Sequence, residues 1–312
     1  MRTLVSCLLV AAASSAAAQA PSPRPAQTPR PLTFGVGIDV INLNVAVTDA
    51  RSRYVTDLID GDFAIFEDGI RQELSLFTHE DLPLSVVLMI DTSASMEEKL
   101  GVAQTAAIRF VKTLEPRDVA QVVQFNDRTA TLQDFTADQA ALEAAIQRTA
   151  ASGPTAMHNA LYIALKGLGR QKKAGELRRR AIVLLSDGED TASLVKDEQV
   201  LELARASEVS IYAISLRRDR AMDRERLAFS QAQHILTALT RETGGQVFFP
   251  NSLSELDSVY ARVAEELRSQ YSIGYVSSNK RKDGKWRRIV VRTPSRDELQ
   301  IRHKLGYYAP AS

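Results

Sequence analysis

Along residues 84–216, short apolar runs alternate with longer stretches of helical periodicity. Residues 84–90 are apolar at nearly every position, as a strand buried on both faces requires, and residues 181–185 and 210–216 look alike. Residues 119–125 fit a further strand of this kind. Helical patterns cover residues 97–114, 137–148, 156–169, 193–207 and 253–268, the second of them opened by Thr136 and Gln139 at the spacing of a capping box. This alternation predicts a doubly wound, mostly parallel sheet flanked by helices over residues 83–269.

Outside that region the period changes. Leu43, Val45 and Val47 alternate with Asn42, Asn44 and Thr48, the pattern of a half-buried strand. Residues 63–67 and 72–77 flank Asp68-Gly69, a dipeptide that supplies the positive φ angles of a tight hairpin turn. Residues 270–276, 285–292 and 298–305 are strand-like again, with no helical pattern after Gln270. Two or three strands bury too little surface to stand alone. The segments 33–80 and 270–312 are therefore expected to pair into one small β-sandwich-like domain.

The beginning of the chain predicts export. Residues 1–20 combine an early Arg2, an apolar run and the small-residue ending Ala18-Gln19-Ala20, the pattern of a cleaved signal peptide. The apolar run is shorter than the roughly 20 residues a membrane span needs, so no transmembrane segment is expected in the mature chain. Cys7 follows Leu4-Val5-Ser6 as in a lipoprotein box, but most of the apolar run comes after it, which disfavours acylation. Residues 21–32, rich in proline, read as an extended linker. The expected location is periplasmic or secreted.

Composition narrows the function classes. With 45% hydrophobic and 25% charged residues the chain can bury a core. Cys7 is the only cysteine, so the mature protein has no disulfide and no thiol chemistry. Without residues 1–20, which hold Arg2 and no acid, 38 Lys and Arg face 38 Asp and Glu, and nucleic acid is not an expected partner. The basic run Lys172, Lys173, Arg178, Arg179, Arg180 is read as a solvated helix end leading into a strand.

Three short motifs carry the candidate chemistry. Asp91-Thr92-Ser93-Ala94-Ser95 stands where the apolar strand 84–90 ends, the end at which doubly wound sheets bind ligands. One carboxylate and two hydroxyls are hard oxygen donors suited to Mg2+, Mn2+ or Ca2+. Alone, the motif competes with a plain capping box of Ser95 and Glu98. It gains weight from Gly153-Pro154-Thr155-Ala156, which opens a helix, and from Ser186-Asp187-Gly188, which closes the strand 181–185.

These three motifs, in this order and on these elements, resemble the von Willebrand factor type A domain. The resemblance implies a metal-ion-dependent adhesion site made by Asp91, Ser93, Ser95, Thr155 and Asp187. It also implies a protein partner that offers an Asp or Glu carboxylate to the ion, with direct contact shifting between Thr155 and Asp187. Phe66-Glu67-Asp68-Gly69, Glu242-Thr243-Gly244-Gly245 and the ending Gly306-Tyr307-Tyr308-Ala309-Pro310 resemble exported bacterial relatives of this domain. Pro154 departs from the family loop, which usually has a second glycine there. His158 is read as solvated, and Asp190 as either a supporting acid or a cap for the helix starting near Ser193. The charged segment 217–231 is read as a solvated loop.

Two other classes compete with the binding reading. A metal-independent structural component of an envelope assembly needs only the fold. A Mg2+-dependent phosphoryl-transfer enzyme needs an Asp nucleophile, usually with a second Asp two residues on, where Ser93 stands here. The chain has no G-x-S-x-G, phosphate-loop or H-E-x-x-H pattern, and His79, His158, His234 and His303 show no ligand spacing. The expectation is a non-enzyme.

Overall fold

In the computed structural model residues 40–80, 82–170, 178–187, 190–216 and 225–311 are described, the stretch 225–232 by its backbone alone. The strands in chain order are β1 (Val40–Thr48), β2 (Ala64–Glu67), β3 (Ile70–Gln72), β4 (Leu74–Thr78), β5 (Leu84–Asp91), β6 (Val119–Phe125), β7 (Thr129–Thr136), β8 (Arg179–Ser186), β9 (Val209–Ser215), β10 (Val247–Phe248), β11 (Tyr271–Val276), β12 (Trp286–Arg292), β13 (Gln300–Arg302) and β14 (Gly306–Tyr308). The helices are α1 (Leu100–Lys112), α2 (Gln139–Gln147), α3 (Met157–Arg170), α4 (Asp197–Ala206), α5 (Glu225–Thr243) and α6 (Leu256–Ser269).

The central sheet has the order β10-β9-β8-β5-β6-β7, with every neighbouring pair parallel except β6 and β7. Along β5, Val86, Leu88 and Ile90 pack into a core with α1, α2 and α6, while Val87 and Met89 pack into a second core with α3, α4 and α5. Both faces of the strand are thus covered, which is why its sequence is apolar without alternation. The chain leaves β5 toward β6 on one side and later builds β8 and β9 on the other. The ends of β5 and β8 therefore lie side by side where the winding reverses, and this positions the candidate site.

Two four-stranded sheets, β13-β1-β11-β4 and β14-β12-β2-β3, enclose a third core. One contributes Leu43, Val45, Val47, Tyr271, Ile273 and Tyr275, and the other Ile65, Ile289, Val291 and Tyr307. Strands from before and after the central sheet are neighbours in both: β1 runs antiparallel to β11, and β2 to β12. Asp68 (φ 49°) and Gly69 (φ 84°) make the hairpin turn between β2 and β3. Among the described residues no helix is long and apolar enough to cross a membrane.

Several local expectations are corrected. The cap of α2 is Asp138, whose Oδ1 accepts from the N–H groups of Ala140 (2.9 Å) and Ala141 (3.2 Å), while Thr136 instead accepts from Asp138 N at 3.1 Å. Residues 129–136, to which no element was assigned, form the antiparallel edge strand β7. Of the segment read as a solvated loop, residues 225–231 begin α5 and residues 217–224 lie outside the described residues. In the basic run, Lys172 and Lys173 lie outside the described residues, but Arg179 is buried and not solvated. Its guanidinium donates to the carbonyls of Leu267 (3.1 Å), Gln270 (2.7 Å) and Glu80 (3.2 Å), joining the start of β8 to the chain on either side of the central sheet.

A buried imidazole gives the fold a pH signature. His303 Nε2 accepts from Val291 N–H at 3.2 Å and Nδ1 lies 2.7 Å from the Lys304 carbonyl, so the ring is held as the neutral tautomer with the proton on Nδ1. Burial pushes its pKa below the ordinary 6.5. The unfolded chain then binds this proton more readily, so stability is full above about pH 6.5 and falls as the pH drops below it. Urea unfolding of wild type and His303→Gln between pH 7 and 5 is expected to show a shallower decline in the variant. Parallel curves would assign the acid sensitivity elsewhere.

Candidate functional site

Asp91 is the last residue of β5 and is completely buried. Past it the loop turns sharply: both the N–H and the hydroxyl of Thr92 donate to the Phe125 carbonyl at the end of β6, at 2.8 and 3.1 Å. Asp91 Oδ1 accepts from Ser93 N–H at 2.8 Å, and Oδ2 accepts from the Ser186 hydroxyl at 2.5 Å. Ser93 Oγ and Ser95 Oγ are 3.1 Å apart, and Ser95 Oγ donates to Asp187 Oδ1 at 2.8 Å. The two acids, 96 positions apart in sequence, are thus connected through one loop, Asp91 through the Ser93 N–H and Asp187 through the Ser95 hydroxyl, which lies beside that of Ser93. Ser95 is not engaged in a capping box with Glu98, and α1 starts only at Leu100.

The third loop is tied to the first by Ser152 N–H on the Thr92 carbonyl (2.7 Å) and Ala94 N–H on the Gly153 carbonyl (2.9 Å). Gly153 takes φ +71°, a left-handed conformation that favours glycine, and Pro154 follows it. Thr155 is buried; its carbonyl accepts from Thr191 and Ala192, and its N–H donates to Thr191 Oγ1 at 3.2 Å. The bonds on both sides hold this loop in place despite the lost second glycine. The Thr155 hydroxyl takes no part in the hydrogen bonds linking Asp91 to Asp187 among the described residues.

Asp190 braces the arrangement. It accepts from the His158 N–H at the start of α3 (2.7 Å) and from both N–H (2.9 Å) and hydroxyl (2.6 Å) of Ser193. It therefore caps α3 and not a helix near Ser193; α4 begins at Asp197. His158 is buried and not solvated, with Nδ1 3.5 Å from the same carboxylate. Asn159 Oδ1 in turn accepts from Leu194 and Val195 N–H at 3.1 and 3.0 Å. These bonds dock the segment after Asp187 onto the helix that follows Thr155.

Two residues escaped the sequence reading. Ser186 holds the inner oxygen of Asp91, and its signal was present in the Ser186-Asp187 pair itself. Lys99 forms an ion pair with Asp187 Oδ2 and donates to the Ser95 carbonyl at 3.2 Å. Its signal was the four-residue spacing from Ser95, one helical turn.

Burial pushes the Asp91 carboxyl above the usual carboxylate range; hydrogen bonds from Ser186 and Ser93 oppose this, and the negative charge of Asp187 adds to it. Among the described residues Asp91 has no cationic partner, and no group of three or more His, Cys, Asp and Glu side chains is placed to hold a metal ion; the candidate site itself offers two carboxylates and hydroxyls. Two carboxylates and the hydroxyls beside them form an all-oxygen donor set that fits a hard divalent cation.

Residues 86–189 match the von Willebrand factor type A domain family. A UPF0353 protein of Nocardia farcinica is 26% identical over 223 residues, covering 62% of this chain and 66% of that relative, just under two thirds of its length. Among solved structures, the von Willebrand factor type A protein from Catenulispora acidiphila superimposes with a TM-score of 0.51 at 14% identity, over 90% of this chain and 76% of that one. That likeness concerns the fold, whose helix-flanked parallel sheet is the one described above. Motif order and family match agree: residues 86–189 match the von Willebrand factor type A domain, and the helix-flanked parallel sheet around them has the corresponding fold.

Proposed function

We propose that the protein is an exported binding module in which a divalent cation, held by Asp91, Ser93, Ser95, Thr155 and Asp187, coordinates an Asp or Glu carboxylate of a protein partner. Domains of this family mediate protein interactions. The observation that carries the reading is the convergence of Asp91 and Asp187 from different loops onto the Ser93–Ser95 segment, Asp91 on the Ser93 N–H and Asp187 on the Ser95 hydroxyl. A buried carboxylate without a counter-charge is costly, and a cation between these acids would relieve it. When bound, the ion supplies a site of positive charge with coordination positions open to an outside oxygen.

The chain's own residues set the conditions. Asp91, fixed by Ser186 and Ser93 N–H, is the rigid donor. Thr155 and Asp187 stand on two loops joined through Thr191, so an exchange of direct contact between them would tune the ion's attraction for the partner. Mg2+ is the expected ion, with Mn2+ and Ca2+ as alternatives of the same donor preference. Export follows from residues 1–20, and the location is periplasmic or extracellular.

Isothermal titration with Mg2+ and Mn2+ tests the reading. Saturable binding by wild type and its loss in Asp91→Ala, with the far-ultraviolet circular dichroism unchanged, are the expected results. Equal binding by the variant would remove Asp91 from the centre. No binding by the wild type, even with acetate added as an outside carboxylate, would sink the metal-dependent reading.

A further inference from the structure

Lys99 brings a positive charge to a site otherwise built from acids and hydroxyls. Its ammonium pairs with Asp187 Oδ2, while Oδ1 of the same carboxylate accepts from Ser95 Oγ. The ammonium also donates to the Ser95 carbonyl at 3.2 Å, so it spans the loops after β5 and β8. The Lys99 side chain is 30% exposed and that of Asp187 2%, which places the ammonium on the solvent side of the carboxylate. The hydroxyls are neutral. Asp91, Asp187 and Lys99 together leave a single net negative charge, where a divalent ion requires two for neutrality.

We propose that Lys99 withholds part of the cation's charge compensation, so that the ion is held tightly only together with a carboxylate supplied from outside the chain. This rests on the metal-binding reading above and adds to it a coupling between ion and partner. The loaded centre carries one net positive charge, which an Asp or Glu side chain neutralises. Ion alone and partner alone each bind weakly, and each strengthens the other by the same factor. Without the ammonium, the two acids balance the ion by themselves, and the outside carboxylate loses its electrostatic advantage. Repulsion between an ammonium and a divalent ion sharing one ligand is expected to amount to about tenfold in affinity under water-like screening.

The experiment is an isothermal titration of the full chain with Mn2+, with and without acetate, on wild type, Lys99→Met, Lys99→Arg and Asp91→Ala. Lys99→Met is expected to bind Mn2+ about tenfold more tightly than wild type. Acetate is expected to strengthen Mn2+ binding more in wild type than in Lys99→Met, and Lys99→Arg, which keeps the charge, to return toward wild-type affinity. Lys99→Gln repeats the measurement with a neutral polar chain should the methionine variant fail to fold. Mn2+ affinity that is unchanged or weaker in both neutral variants overturns the proposal, as does an equal acetate effect in all variants. Binding in the neutral variants without acetate, where wild type binds only with it, supports the proposal. Absence of binding in wild type and both neutral variants overturns the metal reading itself, and the coupling with it.

Discussion

Gly245→Ala is expected to lower the unfolding free energy by at least about 4 kcal/mol, or to prevent folding. A Cβ at this position would lie 1.9 Å from the carbonyl oxygen and 2.7 Å from the carbonyl carbon of Ile211 in β9, the closest approach at any described glycine. Both neighbours are backbone of a central strand, which cannot yield without breaking its pairing to β8. Gly244 beside it has φ +78°, and a Cβ there would lie 2.7 Å from the backbone of His303 and Lys304. The Gly-Gly pair is thus the place where the end of α5, strand β9 and the chain between β13 and β14 meet. Gly101→Ala is the internal control: it lies in α1 with no atom within 4 Å of the added methyl, and is expected to be neutral or stabilising by up to about 1 kcal/mol. Denaturant unfolding of the two variants decides the point; a loss below about 1 kcal/mol at Gly245 would mean that β9 can shift after all.

Glu266→Ala is expected to cost about 3 kcal/mol. The carboxylate is completely buried on α6 and pairs with Arg302 of β13, while Oε2 accepts from Tyr54 and Oε1 from Tyr212, each at 2.8 Å. Burial and the neighbouring negative charge push both phenols above their ordinary value, so they remain protonated donors. Removing Glu266 leaves a guanidinium without its counter-charge and two hydroxyls without an acceptor, and that is what makes the loss large. The double variant Glu266→Leu with Arg302→Met removes both charges and is expected to recover a substantial part of the stability. Urea unfolding of the single and double variants reads this directly. Equal destabilisation in both would show that the tyrosines, and not the charge, dominate.

Arg179, at the start of β8, bonds to carbonyls of residues flanking the central sheet, and Glu266 links α6 to Tyr54 and Arg302. Ser186 and Asp187 stand at the other end of β8. The attachments recorded by Arg179 therefore grip the strand at the end away from the candidate site, and the loops that hold Asp91 and Asp187 are stabilised mainly by one another.

Sequence by itself determined what depends on near neighbours. The uninterrupted apolar run of β5, the positive-φ pair Asp68-Gly69 and the oxygen donors at the ends of β5 and β8 are local patterns, legible because buried strands, tight turns and strand ends constrain residue type directly. The tertiary structure alone decided the rest. Strand β7 has no continuous apolar face, because an edge strand with none of its residues fully buried needs little hydrophobic patterning. Arg179 and His158 looked solvated because burial of a polar side chain depends on partners distant in sequence: the carbonyls of Leu267 and Gln270 for one, the carboxylate of Asp190 for the other. Lys99 entered the site for the same reason, since only the parallel pairing of β5 and β8 brings Asp187 within its reach.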